Sequence, residues 1–372
     1  MEFTAGFRLD GGGTFVAPIP PSPPTYYLRT WGYNLVGQLG DGTTVDKSSP
    51  VQIGALTTWS KVAGGGNHSL ALKTDGTLWT WGNPSDGQLG LGSTTERSSP
   101  MQIGALTNWS SISAGIYQSA SIKTDGSLWT WGRNVEGTLG LGDTTNRSSP
   151  VQVGALTNWA NISIGYLNFS AVKTDGTLWV WGRGSVGSLG LGNTTYYSSP
   201  KQVGSLTNWL TVSTEYYHTA AIKTNGTLWA WGRNYYRLGD GTTTNRSSPV
   251  QVGALTDWLK VSAGFYNTVA IKTDGTLWSW GYNSKGTVGN GNTTAVSSPL
   301  QIGSLTNWLS VSSGRYTVAA IKTDGTVWSW GHNNVGQLGL GDTTDRSSPV
   351  QIGTSTAWSS VSAGLRHFVT IG

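Results

Sequence analysis

The stretch Thr77–Gly82, with the sequence TLWTWG, decides the fold because it recurs along the chain at nearly constant intervals. A degenerate copy, YLRTWG, comes before it and ends at Gly32. The Trp of the Trp-Gly pair stands at Trp31, Trp81, Trp131, Trp181, Trp231, Trp280 and Trp330. The successive spacings are 50, 50, 50, 50, 49 and 50 residues. A fixed period of this length is typical of a repeat architecture, so the 372 residues are treated as one array.

One repeat, residues 77–126, predicts four short strands with the sequences TLWTW, MQI, WSSISA and SASIK. Asp125-Gly126 follows the last of them, and Asp-Gly or Asn-Gly pairs are typical of tight hairpin turns. Four antiparallel strands in each of seven repeats predict an all-β, seven-bladed β-propeller. Small residues dominate the strand that ends at Ser113-Ala114-Gly115. We expect that strand to lie innermost, where strands crowd around the propeller axis.

The two ends of the array complement each other. The last copy, AWSSVSAGLRHFVTIG, lacks a following TLWTWG strand, and the first copy, YYLRTWG, lacks the strands before it. Paired together they complete one blade, which closes the ring and removes open strand edges. The predicted organisation is a propeller over residues 26–372 and an extended, Pro-rich arm and linker over residues 1–25.

The arm is predicted to anchor the protein. Residues 1–25 contain five Pro, a GGG run and scattered apolar side chains. Such a segment buries too little apolar surface to offset an ordering entropy of roughly 1–2 kcal/mol per residue. Because a closed ring has no free edge, we predict that the arm docks on another subunit, with Phe3, Phe7 and Phe15 as anchors. An arm folded back on its own chain is the alternative.

Each repeat combines SAGxxHS, ALKTDGTLWTWG, GQLGLG and SSPVQIG, with small variations. All seven copies keep Trp-Gly and SSP, whereas two depart from Gly-x-Leu-Gly, with YRLGDG at Tyr236–Gly241 and GTVGNG at Gly286–Gly291. The first of these loops is one residue shorter, so we expect it to differ in shape. Over about residues 26–372 the chain resembles the regulator of chromosome condensation repeat family.

This resemblance implies a seven-bladed propeller that binds proteins through its loops. Family members include exchange factors for a nuclear GTPase, chromatin binders and secreted bacterial inhibitors. The exchange-factor branch inserts a wedge hairpin into one blade, but the repeat spacing here never exceeds 50 residues. The chromatin-binding branch uses a basic N-terminal tail, but residues 1–25 contain one basic residue, Arg8.

Three consecutive positions after the SAG strand vary freely between the copies, and we call them the triplets. They are Gly66-Asn67-His68, Ile116-Tyr117-Gln118, Tyr166-Leu167-Asn168, Tyr216-Tyr217-His218, Phe265-Tyr266-Asn267, Arg315-Tyr316-Thr317 and Leu365-Arg366-His367. Six of the 14 Tyr lie in these 21 positions, where chance places about one. Tyr, Asn, His and Arg on a rigid scaffold are typical of a binding face. We therefore predict partner contacts from all these residues except Gly66 and Thr317; loop residues released from packing are the alternative.

The sequence offers little for catalysis. There is no Cys, and the repeat position of His68, His218 and His367 holds Gln118, Asn168, Asn267 or Thr317 in the other copies, which excludes a ring of metal ligands. For these His, a side chain that ties adjacent strands together is favoured over a ligand. No paired carboxylates, Ser-His-Asp set or phosphate loop emerges, so we predict no enzyme activity, no metal and no cofactor.

Two sets of basic residues recur, in a chain of net charge +5. One set precedes the Asp-Gly turns and comprises Lys73, Lys123, Lys173, Lys223, Lys272 and Lys322. The other precedes SSP and comprises Lys47, Arg97, Arg147, Arg246 and Arg346. We expect both to be solvated surface with acids nearby; attraction to a polyanion is the alternative. The aromatic and phosphate-binding patterns of nucleic-acid modules are missing, which disfavours a nucleic-acid partner.

Three classes of function stay open for this predicted binding module. The first is a structural or receptor-binding component of a larger assembly, such as the surface of a phage virion, with protein partners or a cell-surface glycan as ligand. The second is a soluble inhibitor or adaptor that clamps one protein. The third, disfavoured by the missing wedge, is an exchange factor. No apolar run approaches the roughly 18 residues of a membrane helix, so membrane insertion is not expected.

Overall fold

A computed structural model describes residues 26–372, which form seven four-stranded antiparallel sheets arranged as the blades of a propeller. The predicted all-β propeller is therefore confirmed. Within this range one short 3-10 helix occurs, at Ser185–Gly187, and no helix has the length and apolar composition to cross a membrane. The predicted anchors Phe3, Phe7 and Phe15 lie outside the described residues.

Six blades use four consecutive strands each, and the seventh combines both ends of the chain. Blade one comprises β3 Trp59–Gly64, β4 His68–Lys73, β5 Leu78–Gly82 and β6 Arg97–Gln102. Blade two comprises β7 Trp109–Ala114, β8 Gln118–Lys123, β9 Leu128–Gly132 and β10 Arg147–Gln152. Blade three comprises β11 Trp159–Ile164, β12 Asn168–Lys173, β13 Leu178–Gly182 and β14 Tyr197–Gln202. Blade four comprises β15 Trp209–Glu215, β16 His218–Lys223, β17 Leu228–Gly232 and β18 Arg246–Gln251. Blade five comprises β19 Trp258–Ala263, β20 Asn267–Lys272, β21 Leu277–Gly281 and β22 Val296–Gln301. Blade six comprises β23 Trp308–Ser313, β24 Thr317–Lys322, β25 Val327–Gly331 and β26 Arg346–Gln351. Blade seven comprises β27 Ser360–Ala363, β28 His367–Ile371, β1 Leu28–Gly32 and β2 Lys47–Gln52.

The strand of small residues lies innermost, as predicted. The first strands of neighbouring blades contact one another around the ring, as β3 does with β7 and β27. The fourth strand is longer than the predicted MQI, because β6 already begins at Arg97 and includes Pro100. Its pairing with β5 shifts register between Thr80 and Gly82, and such a bulge on an outer strand tolerates a Pro that has no N–H to donate.

Closure of the ring follows the predicted pairing. Strand β1 pairs antiparallel with β28 from Leu28 opposite Ile371 to Gly32 opposite His367. The seventh sheet therefore has the strand order β2-β1-β28-β27, which joins residues from the two ends of the chain. The same strands supply apolar residues to the cores on both sides of blade seven.

Seven apolar cores lie between adjacent blades and hold the ring together. In β5, Leu78 packs toward blade two while Trp81 packs toward blade seven, because successive side chains of a strand point to opposite faces. Trp81 is fully buried, and its Nε1 donates to the carbonyl oxygen of Gln38 in the preceding blade over 2.9 Å. A buried Trp removes about 150–250 Å² from water, which stabilises each interface by several kcal/mol.

The Lys set beside the Asp-Gly turns is not solvated surface, contrary to the expectation. Lys123 is 7% exposed, and its Nζ lies 3.7 Å from the ring centroid of Trp129 and 4.8 Å from that of Trp109. The same arrangement recurs in blades one, three, four, five and six. Two indole faces attract the ammonium group and its alkyl stem covers apolar surface, so this Lys ties two strands together.

In the second basic set, all members except Arg97 form an ion pair with a nearby acid. Lys47 Nζ lies 3.3 Å from Asp41 Oδ2, and Arg246 Nη2 lies 2.8 Å from Asp240 Oδ2. Equivalent ion pairs join Arg147 to Asp143 and Arg346 to Asp342. These charges are largely compensated within the loop that precedes the fourth strand.

Candidate partner-binding surface

The triplets form the turns between the first and second strands of the blades, so all seven lie at one end of the propeller, near its axis. The loops after Trp-Gly, which also vary between the copies, lie at the same end. The backbone N–H of Arg133 donates to the carbonyl oxygen of Tyr117 over 3.0 Å, and that of Arg233 donates to Tyr217 over 2.8 Å. The two variable loops of each blade thus form one surface.

The third residue of every triplet is buried and begins the second strand. His68, His218 and His367 are 0% exposed, and each imidazole Nε2 lies 2.8–2.9 Å from a hydroxyl of the adjacent blade, such as Ser119 Oγ for His68. Burial lowers the pKa of His68 and His218 to about 3 and that of His367 to about 4. Each of these His side chains therefore ties two strands together, and the two strands belong to adjacent blades.

Fewer triplet side chains than predicted can contact a partner, because about half of them are buried. The buried triplet members are Gly66, His68, Ile116, Gln118, Leu167, Asn168, His218, Phe265, Asn267, Thr317 and His367. The partly exposed members are Asn67, Tyr117, Tyr166, Tyr216, Tyr217, Tyr266, Arg315, Tyr316, Leu365 and Arg366. The second list is the set of triplet side chains that can contact a partner directly.

Seven aromatic side chains of the triplets form a continuous chain of ring contacts, which we call the aromatic arc. Its members are Tyr117, Tyr166, Tyr216, Tyr217, Phe265, Tyr266 and Tyr316. Ring centroids of Tyr166 and Tyr216 are 5.2 Å apart, and those of Tyr266 and Tyr316 are 4.6 Å apart. The arc runs over blades two to six, whereas the triplets of blades one and seven contain no Phe, Tyr or Trp. This end of the propeller is therefore asymmetric.

Arginines accompany the arc. The guanidinium of Arg133 lies 5.0 Å from the ring centroid of Tyr117, and that of Arg183 lies 5.4 Å from Tyr217. Arg315 lies 5.3 Å from Phe265. These distances are within the range of cation–π attraction, which holds the planar guanidinium groups against the rings. Arg and Tyr together provide rigid, amphipathic contact area.

Blade four departs most from the repeat. Glu215 occupies the position held by Gly in the other six triplet strands, where a Cβ would collide, as on Gly264 with Ser313 Oγ. Strand β15 extends to Glu215, which pairs with His218 across a two-residue turn. Tyr216 in that turn has a φ of 32°, a conformation that costs a non-Gly residue energy.

The Glu215 side chain lines a small axial cavity together with glycines such as Gly65 and Gly314. The cavity volume of about 20 Å³ is enough for one water molecule. Burial raises the pKa of the carboxyl to about 8. Blade four also holds the shortened loop, where Tyr236 has a φ of 69°, so that loop differs in shape as its length predicts.

A family model described as regulator of chromosome condensation (RCC1) repeat matches seven successive segments of the chain. The matched residues are 29–72, 75–122, 125–171, 175–222, 225–271, 274–321 and 324–371. The chain belongs to the regulator of chromosome condensation repeat family. A second model with the same description matches residues 59–88, 258–287 and 308–337. The comparison with curated protein sequences gives no significant match.

Three solved structures share the fold of this chain. Human WBSCR16 superposes with a TM-score of 0.84 at 20% identity, over 93% of this chain and 98% of that chain. Prp20p from Saccharomyces cerevisiae, described with its binding properties to Gsp1p and histones, has a TM-score of 0.82 at 20% identity, over 94% and 92% of the two chains. Yeast RCC1 (Prp20) bound to Kap60 has a TM-score of 0.82 at 19% identity, over 100% and 96%. At these identities the likeness shows the fold alone.

Within this RCC1-repeat propeller, the prediction from sequence missed several residues of the surface. They are Tyr33, Arg133, Arg183, Arg233 and Tyr282, all from the loops after Trp-Gly, and the buried Arg237 of the same loops lies beneath them. Those loops vary between copies as the triplets do, and this variation is the pattern that marks them. The backbone bonds that bring both loops together come from the sheet, because strand order places the two turns side by side.

Proposed function

We propose that this propeller is a non-catalytic binding module that contacts a protein partner with its Tyr- and Arg-rich end. The observation that carries the proposal is the aromatic arc, a chain of ring contacts that covers five of the seven triplets. Most of its rings are partly exposed, on turns held by rigid sheets. Tyr and Arg in such positions are enriched among the residues that dominate binding energy in interfaces.

A site-specific photo-crosslinker tests which end of the propeller meets the partner. It is placed at Tyr117 or Tyr217, and as a control at Leu106 or Leu206, two Leu that are 48% exposed in the turns at the opposite end. We expect crosslinks to one protein from the Tyr positions and none from the Leu positions, with mass spectrometry identifying the captured protein. Crosslinks to that protein from the Leu positions alone contradict the proposal.

Substitution then measures the contribution of the arc to binding. Changing Tyr117, Tyr217 and Tyr266 to Ala should keep the fold, because these side chains lie outside the cores between blades. Affinity for the crosslinked partner should fall by at least about thirtyfold, since one aromatic anchor contributes about 2 kcal/mol or more. The matched control changes Leu106, Leu206 and Leu305 to Ala. Unchanged affinity of a folded Tyr variant refutes the role of the arc.

We further propose that residues 1–25 tether the propeller to a larger assembly, such as a phage virion, by Phe3, Phe7 and Phe15. Support comes from the Pro-rich, sparsely apolar composition of this segment, which favours docking on another subunit. A protein lacking residues 1–20 should fold with an unchanged thermal midpoint but fail to join the assembly. Normal incorporation of the truncated protein favours the second class, a soluble inhibitor or adaptor.

Two alternatives to the proposed function concern the same surface, namely a glycan ligand and a role as an exchange factor. Exposed Tyr rings also stack on sugars, so a cell-surface glycan is the alternative to a protein partner. A role as an exchange factor is a second alternative, since the propeller shares its fold with Prp20p, which has binding properties to Gsp1p. Release of fluorescent GDP from a nuclear GTPase, measured with and without the propeller, tests this: acceleration supports the exchange factor and contradicts the proposed module.

A further inference from the structure

Arg237, in the shortened loop of blade four, is a buried cation whose Nε and Nη1 lack a hydrogen-bond acceptor and which has no counterion among residues 26–372. Its side chain is 1% exposed. None of the ion pairs formed among residues 26–372 includes it. An enclosed charge without hydrogen bonds or a counterion is costly, and native proteins rarely keep one without a use.

At the equivalent position of three other blades, a Gln side chain makes a hydrogen bond that Arg237 does not make. Gln38, Gln88 and Gln337 each use their side-chain Oε1 to accept a hydrogen bond from a backbone N–H of their own loop, over 2.8–3.1 Å. The loop of blade four is one residue shorter, Tyr236 takes a φ of 69°, and Arg237 makes no such bond. The Arg237 side chain therefore does not stabilise its own loop by this hydrogen bond.

The guanidinium lies beneath the middle of the aromatic arc. Its central carbon is 5.0 Å from the ring centroid of Tyr266, on blade five. Burial lowers the pKa of Arg237 to about 10, helped by the nearby charge of Arg233, while Tyr216 and Tyr316 are among its other neighbours. Arg233 itself is exposed to solvent. The site thus combines one enclosed guanidinium with aromatic walls that are partly open to the surface.

The rest of this end of the propeller is also positively charged. Five further arginines contact its aromatic rings, namely Arg133, Arg183, Arg233, Arg315 and Arg366. Among these five, only Arg183 has a carboxylate in ion-pair distance in residues 26–372, with Glu136 Oε1 at 3.6 Å. A surface of this kind complements an acidic partner and speeds the encounter with it.

We propose that Arg237 receives one carboxylate from an acidic side chain of the protein partner. This inference rests on the proposed function, because the same end of the propeller makes the contact. Two carboxylate oxygens match the fork of the guanidinium, and a single negative charge balances the single enclosed positive charge. A phosphate monoester carries nearly two negative charges, twice the charge that the enclosed guanidinium balances by itself. Because Arg237 is enclosed, the proposal requires the ring of Tyr266 to shift aside and admit the carboxylate.

A hexaglutamate peptide serves as the probe, and Arg237→Gln is the decisive variant. Gln occupies the same position in three other blades, so the substituted loop retains a residue that the repeat accommodates. The readout is the side-chain Nε–H signal of Arg237 in a ¹⁵N spectrum, assigned by its disappearance in the variant. We expect hexaglutamate to shift this signal, and its affinity to fall by at least about tenfold in Arg237→Gln.

Arg233→Gln is the matched control, because Arg233 belongs to the same loop but is exposed. We expect it to lower the affinity for hexaglutamate far less than Arg237→Gln does. Equal losses in the two variants, or no shift of the Arg237 signal by hexaglutamate, overturn the inference. N-acetylneuraminic acid and inorganic phosphate are titrated in parallel, and a larger, Arg237-dependent response to either one also overturns it, in favour of a glycan or a phosphate group.

These outcomes are independent of the test of the proposed function. Crosslinking from Tyr117 and Tyr217 reports whether a partner contacts this end, whatever Arg237 does. If crosslinks form but Arg237 does not respond to hexaglutamate, the binding surface stands and the carboxylate site fails. If Arg237 responds but crosslinks come only from the opposite end, the anion site is real and its assignment to the protein partner fails.

Discussion

Replacing the three buried histidines by asparagine will make the propeller less sensitive to acid. His68, His218 and His367 each bond a hydroxyl of the adjacent blade, and burial lowers their pKa to about 3, 3 and 4. Asn already occupies this position as Asn168 and Asn267, so the repeat accommodates the substitution. The variant removes three titrating groups and leaves the blades otherwise unchanged.

The size of the effect follows from proton linkage. In the unfolded chain each His binds a proton below its usual pKa of 6.5, whereas in the folded protein it stays neutral down to about pH 4. Between pH 6.5 and 4.5 the unfolded state therefore holds more protons, and the free energy of unfolding falls as the pH falls. The loss is about 2 kcal/mol for each His over this window, or about 6 kcal/mol for all three.

Glu215 acts in the opposite direction. Burial raises its pKa from 4.5 to about 8, so in the same window the folded state holds the proton and the unfolded chain releases it. Its contribution to stability is complete below pH 4.5 and is lost as the pH rises through 8, which offsets about 2 kcal/mol of the loss from the His between pH 6.5 and 4.5. These four groups together predict a net loss of about 4 kcal/mol for the unsubstituted protein.

Urea unfolding followed by Trp fluorescence at pH 6.5 and 4.5 measures this difference. We expect the triple variant to escape the acid loss, so that the pH effects on the two proteins differ by about 6 kcal/mol. His332→Asn is the control, because His332 lies in a surface loop and is partly exposed. An NMR titration of the imidazole signals checks the pKa values directly. Titration of the three His near pH 6.5, or an equal acid loss in the triple variant, refutes the reasoning.

Two further predictions concern the scaffold. Deleting Tyr26–Trp31 removes strand β1 and exposes the cores on both sides of blade seven, so it should lower the thermal midpoint far more than deleting residues 1–20; equal midpoints contradict ring closure. Lys123→Met keeps the apolar stem but removes the charge over Trp129, and should lower the free energy of unfolding by about 1 kcal/mol in urea. Lys201→Met should have a smaller effect, because Lys201 is exposed and its Nζ lies 5.6 Å from the ring centroid of Tyr197, farther than Lys123 from Trp129. Equal effects of the two Lys substitutions count against the cation–π contribution.

The sequence by itself determined the architecture. The 50-residue period, the Trp-Gly pairs and turns such as Asp125-Gly126 depend on local chemistry, because positive φ and alternating side chains leave few other structures. The complementary ends predicted closure, because the unpaired edge of a strand can bond a strand from any part of the chain. The triplets and the loops after Trp-Gly were recognisable as variable positions on this regular scaffold.

Only the tertiary structure decided which variable residues face solvent and which charges stand alone. His68 lies buried between two blades, where it bonds Ser119, a residue about one repeat further along the chain. Lys123 lies between two indole rings of its own blade, and Arg237 lies beneath the aromatic arc without the hydrogen bond that Gln makes at this position in three other blades. A repeated pattern marks equivalent positions but does not show what packs against them. Burial and pairing depend on contacts between residues far apart in the chain. These contacts form only in the folded propeller.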